Sequence, residues 1–138
     1  GLHTYDFVAG RAAFMSANLN ESHEIALMEV GSDAEGPHKG QVGLNHMAWR
    51  METLDDLADF YNNLDNKGID IKRVSNHGLS LGIYIEDLDG NGIEVYYETP
   101  RNEWYREENL FMHGDRPMTI FPGPWEKDLV PDGVSATS

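Results

Sequence analysis

From Leu44 to Glu98 the sequence spells strand, helix, strand, strand, strand, and this order constrains the fold more than any other feature. Leu44 to Met51 reads as a strand whose period of two puts Leu44, His46, Ala48 and Arg50 on one face. Thr53 then caps a helix with Asp55 and Asp56 in its first turn, where carboxylates suit the positive end of the dipole. Leu57, Phe60, Tyr61 and Leu64 recur at helical spacing, and Gly68 stands where a left-handed residue usually ends a helix. Ile69 to Val74 reads as a short strand, Ser75 to Gly78 as a loop, and Leu79 to Glu86 as a strand. Asp89-Gly90-Asn91-Gly92 makes a tight turn into a returning strand, Ile93 to Glu98.

Ahead of this block, Thr4 to Ala9, Ala12 to Ala17 and His23 to Val30 supply three further strands. A loop from Gly31 to Gly43, rich in Gly, Ser, Asp and Pro, is the best place for an insertion or flap. With one strand and one helix added before Gly1, the chain would be two βαβββ units. The tail from Pro100 onward carries Trp104, Tyr105, Leu110, Phe111, Phe121 and Trp125 and is expected to pack on the sheet without forming a domain of its own.

Two of the strands carry a residue that apolar neighbours do not explain. His46 sits in Leu44-Asn45-His46-Met47-Ala48-Trp49 and Glu94 in Ile93-Glu94-Val95-Tyr96. A buried, unpaired carboxylate costs several kcal/mol, and one metal ion between the two strands would account for both residues. An imidazole and a carboxylate belong to the 2-His-1-carboxylate face, which leaves positions open for other ligands. The plainer account is a core histidine and a hydrogen-bonded glutamate, and spacing alone favours it. His23 at the start of a strand, His77 in a turn and Tyr84 among core residues likewise have structural readings when each is taken singly.

Asp87-x-Asp89-x-Asn91-Gly92, followed after five residues by Glu98, matches a calcium EF-hand loop letter for letter. That loop needs a helix on each side, whereas Ile83-Tyr84-Ile85 and Val95-Tyr96-Tyr97 are β-prone. A hairpin is the simpler account. Composition narrows the chemistry further. A formal net charge of −14 should repel nucleic acid and anionic membrane alike, and no apolar run approaches the roughly 18 residues of a membrane span. With no cysteine there is no disulfide and no thiol nucleophile, which fits a reducing, cytoplasmic setting. There is no GxSxG and no P-loop.

Four segments together resemble the vicinal oxygen chelate superfamily over about residues 2 to 100, and within it the extradiol dioxygenases of the catechol 2,3-dioxygenase type. They are Ser22-His23-Glu24-Ile25-Ala26-Leu27, Gly43-Leu44-Asn45-His46-Met47-Ala48-Trp49, Asn76-His77-Gly78-Leu79-Ser80-Leu81-Gly82-Ile83-Tyr84, and Asp87-Leu88-Asp89-Gly90-Asn91-Gly92-Ile93-Glu94-Val95. His77-Gly78, with Tyr84 ten residues before Glu94, favours the dioxygenases over their relatives. The resemblance implies an α+β fold of paired βαβββ modules, a mixed sheet curled around a metal, with the first strand and helix absent from this chain. It implies His46 and Glu94 as ligands of Fe(II), with Mn(II) as the alternative ion and O2 as co-substrate. His23 would face the oxygen side, and His77 and Tyr84 would contact the oxygens of a small aromatic diol. The family's first histidine ligand would precede Gly1; His3 lies too close to the following strand to replace it. Self-association through sheet edges is expected. Two other functions suit the same scaffold: a glyoxalase-like lyase or isomerase, and a metal-free protein that binds a small aromatic molecule.

Overall fold

The computed structural model describes residues 1–104, residue 111 and the backbone of residues 116–117. It divides into two compact units, residues 1–36 and 37–138.

The first unit is an antiparallel meander of β1 (His3–Val8), β2 (Ala12–Ser16) and β3 (Ile25–Met28), in that order across the sheet. Gly10, with φ 67°, makes the first turn, and a register shift between Thr4 and Asp6 bulges β1 at Tyr5. The second turn is tied by side chains. Ser16, fully buried, donates to Glu24 Oε2 at 2.7 Å, and the Ala17 amide donates to the same oxygen at 2.9 Å. The Ser16 hydrogen bond, then the Ala17 amide, hold the Glu24 carboxyl below the usual carboxylate range. β3 is shorter at both ends than the stretch His23 to Val30 suggests, because only Ile25 to Met28 find partners on β2.

The second unit contains β4 (Met47–Met51), α1 (Leu54–Asn66), β5 (Arg73–Asn76), β6 (Ser80–Glu86), β7 (Gly92–Glu98) and the two-residue β8 (Arg116–Pro117). The sheet order is β4-β7-β6-β5-β8. β4 runs parallel to β7, and the other pairs are antiparallel. This is the βαβββ unit expected from the sequence, and the fold class is α+β.

The helix begins as its sequence requires. The Thr53 hydroxyl accepts from the Asp56 amide at 3.1 Å, and Asp56 Oδ2 accepts from the Thr53 amide at 3.0 Å. These reciprocal bonds satisfy donors that the first turn leaves free. The helix ends at Lys67 and Gly68, the latter at φ 65°. Its apolar stripe packs on one face of the sheet. Leu57, Leu64, Val74, Ile83 and Val95 form the buried cluster, flanked by Trp49, Met51, Phe60, Tyr61, Leu81, Ile93 and Tyr97.

Two boundaries differ from those read in the sequence, and each has a local cause. β4 starts at Met47 and not at Leu44, because its neighbour among the described residues, β7, begins at Gly92 and first pairs with it at Met47↔Ile93. His46 therefore lies just outside the strand. β5 covers Arg73 to Asn76 and not Ile69 to Val74. The Ile69 amide bonds back to Leu64 O at 3.0 Å, so the chain leaves the helix later than its β-branched residues suggest. Ser75 and Asn76, expected in a loop, are strand residues paired with Gly82 and Leu81. The Asp87 to Asn91 loop is a hairpin turn closed by its own aspartate. Asp87 Oδ1 accepts from the Asp89 and Asn91 amides and Oδ2 from Asn91 Nδ2, all within 3.0 Å. The oxygens that an EF-hand would turn to calcium are spent on the turn.

Candidate functional site

The register of the second sheet assembles a polar row on the face away from α1. Arg73 on β5 pairs with Tyr84 on β6, Tyr84 with Glu94 on β7, and Glu94 with Ala48 on β4. One residue along each strand, Val74, Ile83, Val95 and Trp49 form the matching row beneath the helix. Side chains that alternate across a strand thus separate the chemistry from the core.

Glu94 lies at the centre of the polar row and is only 7% exposed. Its Oε1 accepts from the Tyr84 hydroxyl at 2.7 Å, and its Oε2 lies 3.1 Å from His46 Nε2. His77 Nε2 is 2.9 Å from the Tyr84 oxygen. Because that hydroxyl spends its proton on Glu94, the imidazole must be the donor there, which fixes its Nε2–H tautomer. His46 Nδ1 lies 2.6 Å from Asn45 Oδ1, which can only accept, so this nitrogen donates. A neutral imidazole would then present a lone pair to the carboxylate. His46 Nε2 and Glu94 Oε2 thus face one another across 3.1 Å.

Four of the five residues singled out in the sequence, His46, His77, Tyr84 and Glu94, therefore form one continuous contact chain. The rings of His46 and Tyr84 also meet edge to face at 5.5 Å. His23 belongs to the first unit, where its ring meets Phe14 edge-on at 5.6 Å and Nδ1 lies 2.9 Å from Ser22 Oγ. Burial, then the bond to Glu94 and its negative charge, raise the Tyr84 phenol well above its ordinary value. It is a neutral donor throughout the physiological range.

As a metal centre, the donor set supplies two members of the 2-His-1-carboxylate face, one imidazole nitrogen and one carboxylate oxygen. Among the described residues no group of three His, Cys, Asp or Glu side chains comes together. The residues present fit an iron-type ion as two ligands of three.

Arg73 and two glycines escaped the sequence reading, whereas Phe111 stood among the tail aromatics expected to pack on the sheet. The Arg73 guanidinium lies 4.1 Å above the Tyr84 ring. Phe111, in the tail, has its ring 5.1 Å from that of His77. Tyr105, Leu110, Phe121 and Trp125 lie outside the described residues. Two glycines are conditions of the geometry. A Cβ on Gly82 would collide with Glu94 Oε1 and crowd the Tyr84 ring at 3.2 Å. On Gly92 it would stand 2.6 Å from Asn45 O and 3.2 Å from His46 Cβ. A glycine inside a strand is a signal of such close approach, so both were visible in principle.

Comparison with known proteins agrees with this architecture. Biphenyl-2,3-diol 1,2-dioxygenase 2 from Rhodococcus globerulus is 32% identical over 119 residues, covering 84% of this chain and 60% of that protein. Biphenyl-2,3-diol 1,2-dioxygenase 3 from the same organism is 34% identical, covering 75% and 54%. The chain thus spans little more than half the length of these relatives. Among solved structures, a putative glyoxalase from Bacillus halodurans superposes with a TM-score of 0.56 at 15% identity, covering 70% of this chain and 75% of that one, which speaks for the fold alone. No helix among the described residues is long and apolar enough to cross a membrane. Residues 3–95 match the family described as Glyoxalase/Bleomycin resistance protein/Dioxygenase superfamily, and the chain belongs to it.

Proposed function

We propose that this chain is the metal-binding part of an extradiol dioxygenase, which opens the ring of a catechol-type diol beside its two hydroxyls. The observation that carries the reading is the meeting of His46 Nε2 and Glu94 Oε2, 3.1 Å apart, with Tyr84 and His77 bonded in series behind them. A lyase that polarises a single oxygen has no need of that series.

Fe(II), or Mn(II) in its place, held by His46 and Glu94 would supply the positive charge that favours a deprotonated diol and the redox chemistry that O2 requires. The chain's own residues do the rest. Tyr84, a neutral phenol, offers its proton to a diol oxygen, and His77 Nε2–H sustains the phenol oxygen as that proton moves. Arg73, stacked on the Tyr84 ring, keeps the phenol from turning away. Phe111 lies against the His77 ring, an apolar wall suited to the flat face of an aromatic substrate. His23 is assigned the proton transfers on the oxygen side, on the strength of the resemblance.

The test is direct. Protein of full natural length, loaded anaerobically with Fe(II) and then exposed to air with catechol or biphenyl-2,3-diol, should turn yellow as the ring-opened semialdehyde forms. Glu94→Ala should remove the colour and the bound iron together. No colour with any of several diols from iron-loaded protein rejects the proposal, and turnover that survives without oxygen points to a lyase or isomerase.

A further inference from the structure

Ser75 is fully buried, and its hydroxyl has no hydrogen-bond partner among the described residues. A buried hydroxyl left unpaired costs stability that alanine would avoid. The side chain lies on the polar face, directly across from Gly82. Opposed residues in an antiparallel pair carry their Cβ positions about 5 Å apart. The place where a Gly82 Cβ would stand is taken by Glu94 Oε1. A turn about the Ser75 Cα–Cβ bond therefore brings its hydroxyl towards that oxygen.

Tyr84 is committed at present: it donates to Glu94 Oε1 and lies in hydrogen-bond range of His77 Nε2. A phenol cannot give its one proton to Glu94 and to a ligand at once. Releasing Tyr84 would leave one oxygen of a nearly buried carboxylate without its donor. We infer that Ser75 is the reserve donor: when Tyr84 turns its hydroxyl to a bound ligand, the Ser75 hydroxyl takes its place on Glu94 Oε1. Ser75 is a positioning residue, acting through Glu94. Its purpose rests on the dioxygenase reading, but the principal test does not.

That test is a thermal double-mutant cycle on the metal-free chain. Ser75→Ala alone should not lower Tm, since only an unpaired hydroxyl is lost. Tyr84→Phe should lower Tm by about 3 °C with Ser75 present and by about 8 °C in the Ser75→Ala background, because only then does Oε1 lose both donors. Additive shifts overturn the inference. Titration with Mn(II) gives a second readout should Tyr84→Phe fail to fold. With saturating catechol present to draw off the Tyr84 hydroxyl, Ser75→Ala should weaken Mn(II) binding about tenfold, as loss of a bond orienting a ligand does, with the nearly isosteric Ser75→Cys between. Equal affinities overturn it as well. A wild-type protein of natural length that binds no metal would remove the dioxygenase reading and leave Ser75 to be decided by the cycle.

Discussion

Val74, Ile83, Val95 and Trp49 run across the second sheet on one face, and Arg73, Tyr84, Glu94 and Ala48 run across it on the other, one residue out of step. The first row is covered by α1 and held by area removed from water. The second is held by directional bonds between groups that are costly to bury alone. Glu94 and His77 are as buried as Val74 and Val95, so depth does not distinguish the faces. What differs is tolerance. An apolar row accepts approximate shapes, whereas a polar row works only with every partner in place.

The largest expected effect tests whether the apolar row carries the fold. Ile83→Ala, at a site with no exposure, should cost about 3–4 kcal/mol of unfolding free energy in a denaturant titration. Gly82→Ala, the very next position but on the polar face, adds a methyl where Glu94 Oε1 lies. It should cost about 1–3 kcal/mol and uncouple Tyr84 from Glu94, visible as a shifted Tyr84 resonance. If Gly82→Ala proves neutral on both counts, the distinction between the faces fails. Thr53→Ala breaks the helix cap and should cost about 1 kcal/mol while leaving the Tyr84 resonance alone, because α1 packs on the apolar face.

The smallest effect is in pH. The Tyr84 phenol is raised above its ordinary 10.0, so its neutral form is favoured in the folded state. The stability this adds is fully present below pH 10.0 and is lost as pH climbs through the folded value. In an ultraviolet titration Tyr84 should ionise above the ordinary tyrosine value, and Tyr84→Phe should flatten the alkaline limb of the stability curve. A Tyr84 that ionises at the ordinary value of 10.0 would mean that its bond to Glu94 is not kept in solution.

The apolar face was legible because its signal repeats. Leu57, Phe60, Tyr61 and Leu64 announce a helix, and Thr53 and Gly68 announce its ends. The polar face speaks through single residues. His46 and Glu94 are joined by the idea of one shared ion and by family resemblance, since nothing local says that β4 and β7 are neighbours. Ser75 reads as loop when β5 is placed too early. Register decides all of these, and a register error of one residue moves each side chain to the wrong face.

Gly92 opens β7 and leaves room for the segment that precedes β4. On the ribosome, a nascent chain can build α1 and the β5–β6 hairpin before residue 92 has emerged, but His46 does not meet Glu94 until β7 inserts beside β4. Closing that long loop is the slow, non-local event in such a topology. Polypeptides released before it would be partly folded yet would lack the His46–Glu94 contact, so the polar row cannot assemble until β7 is in place.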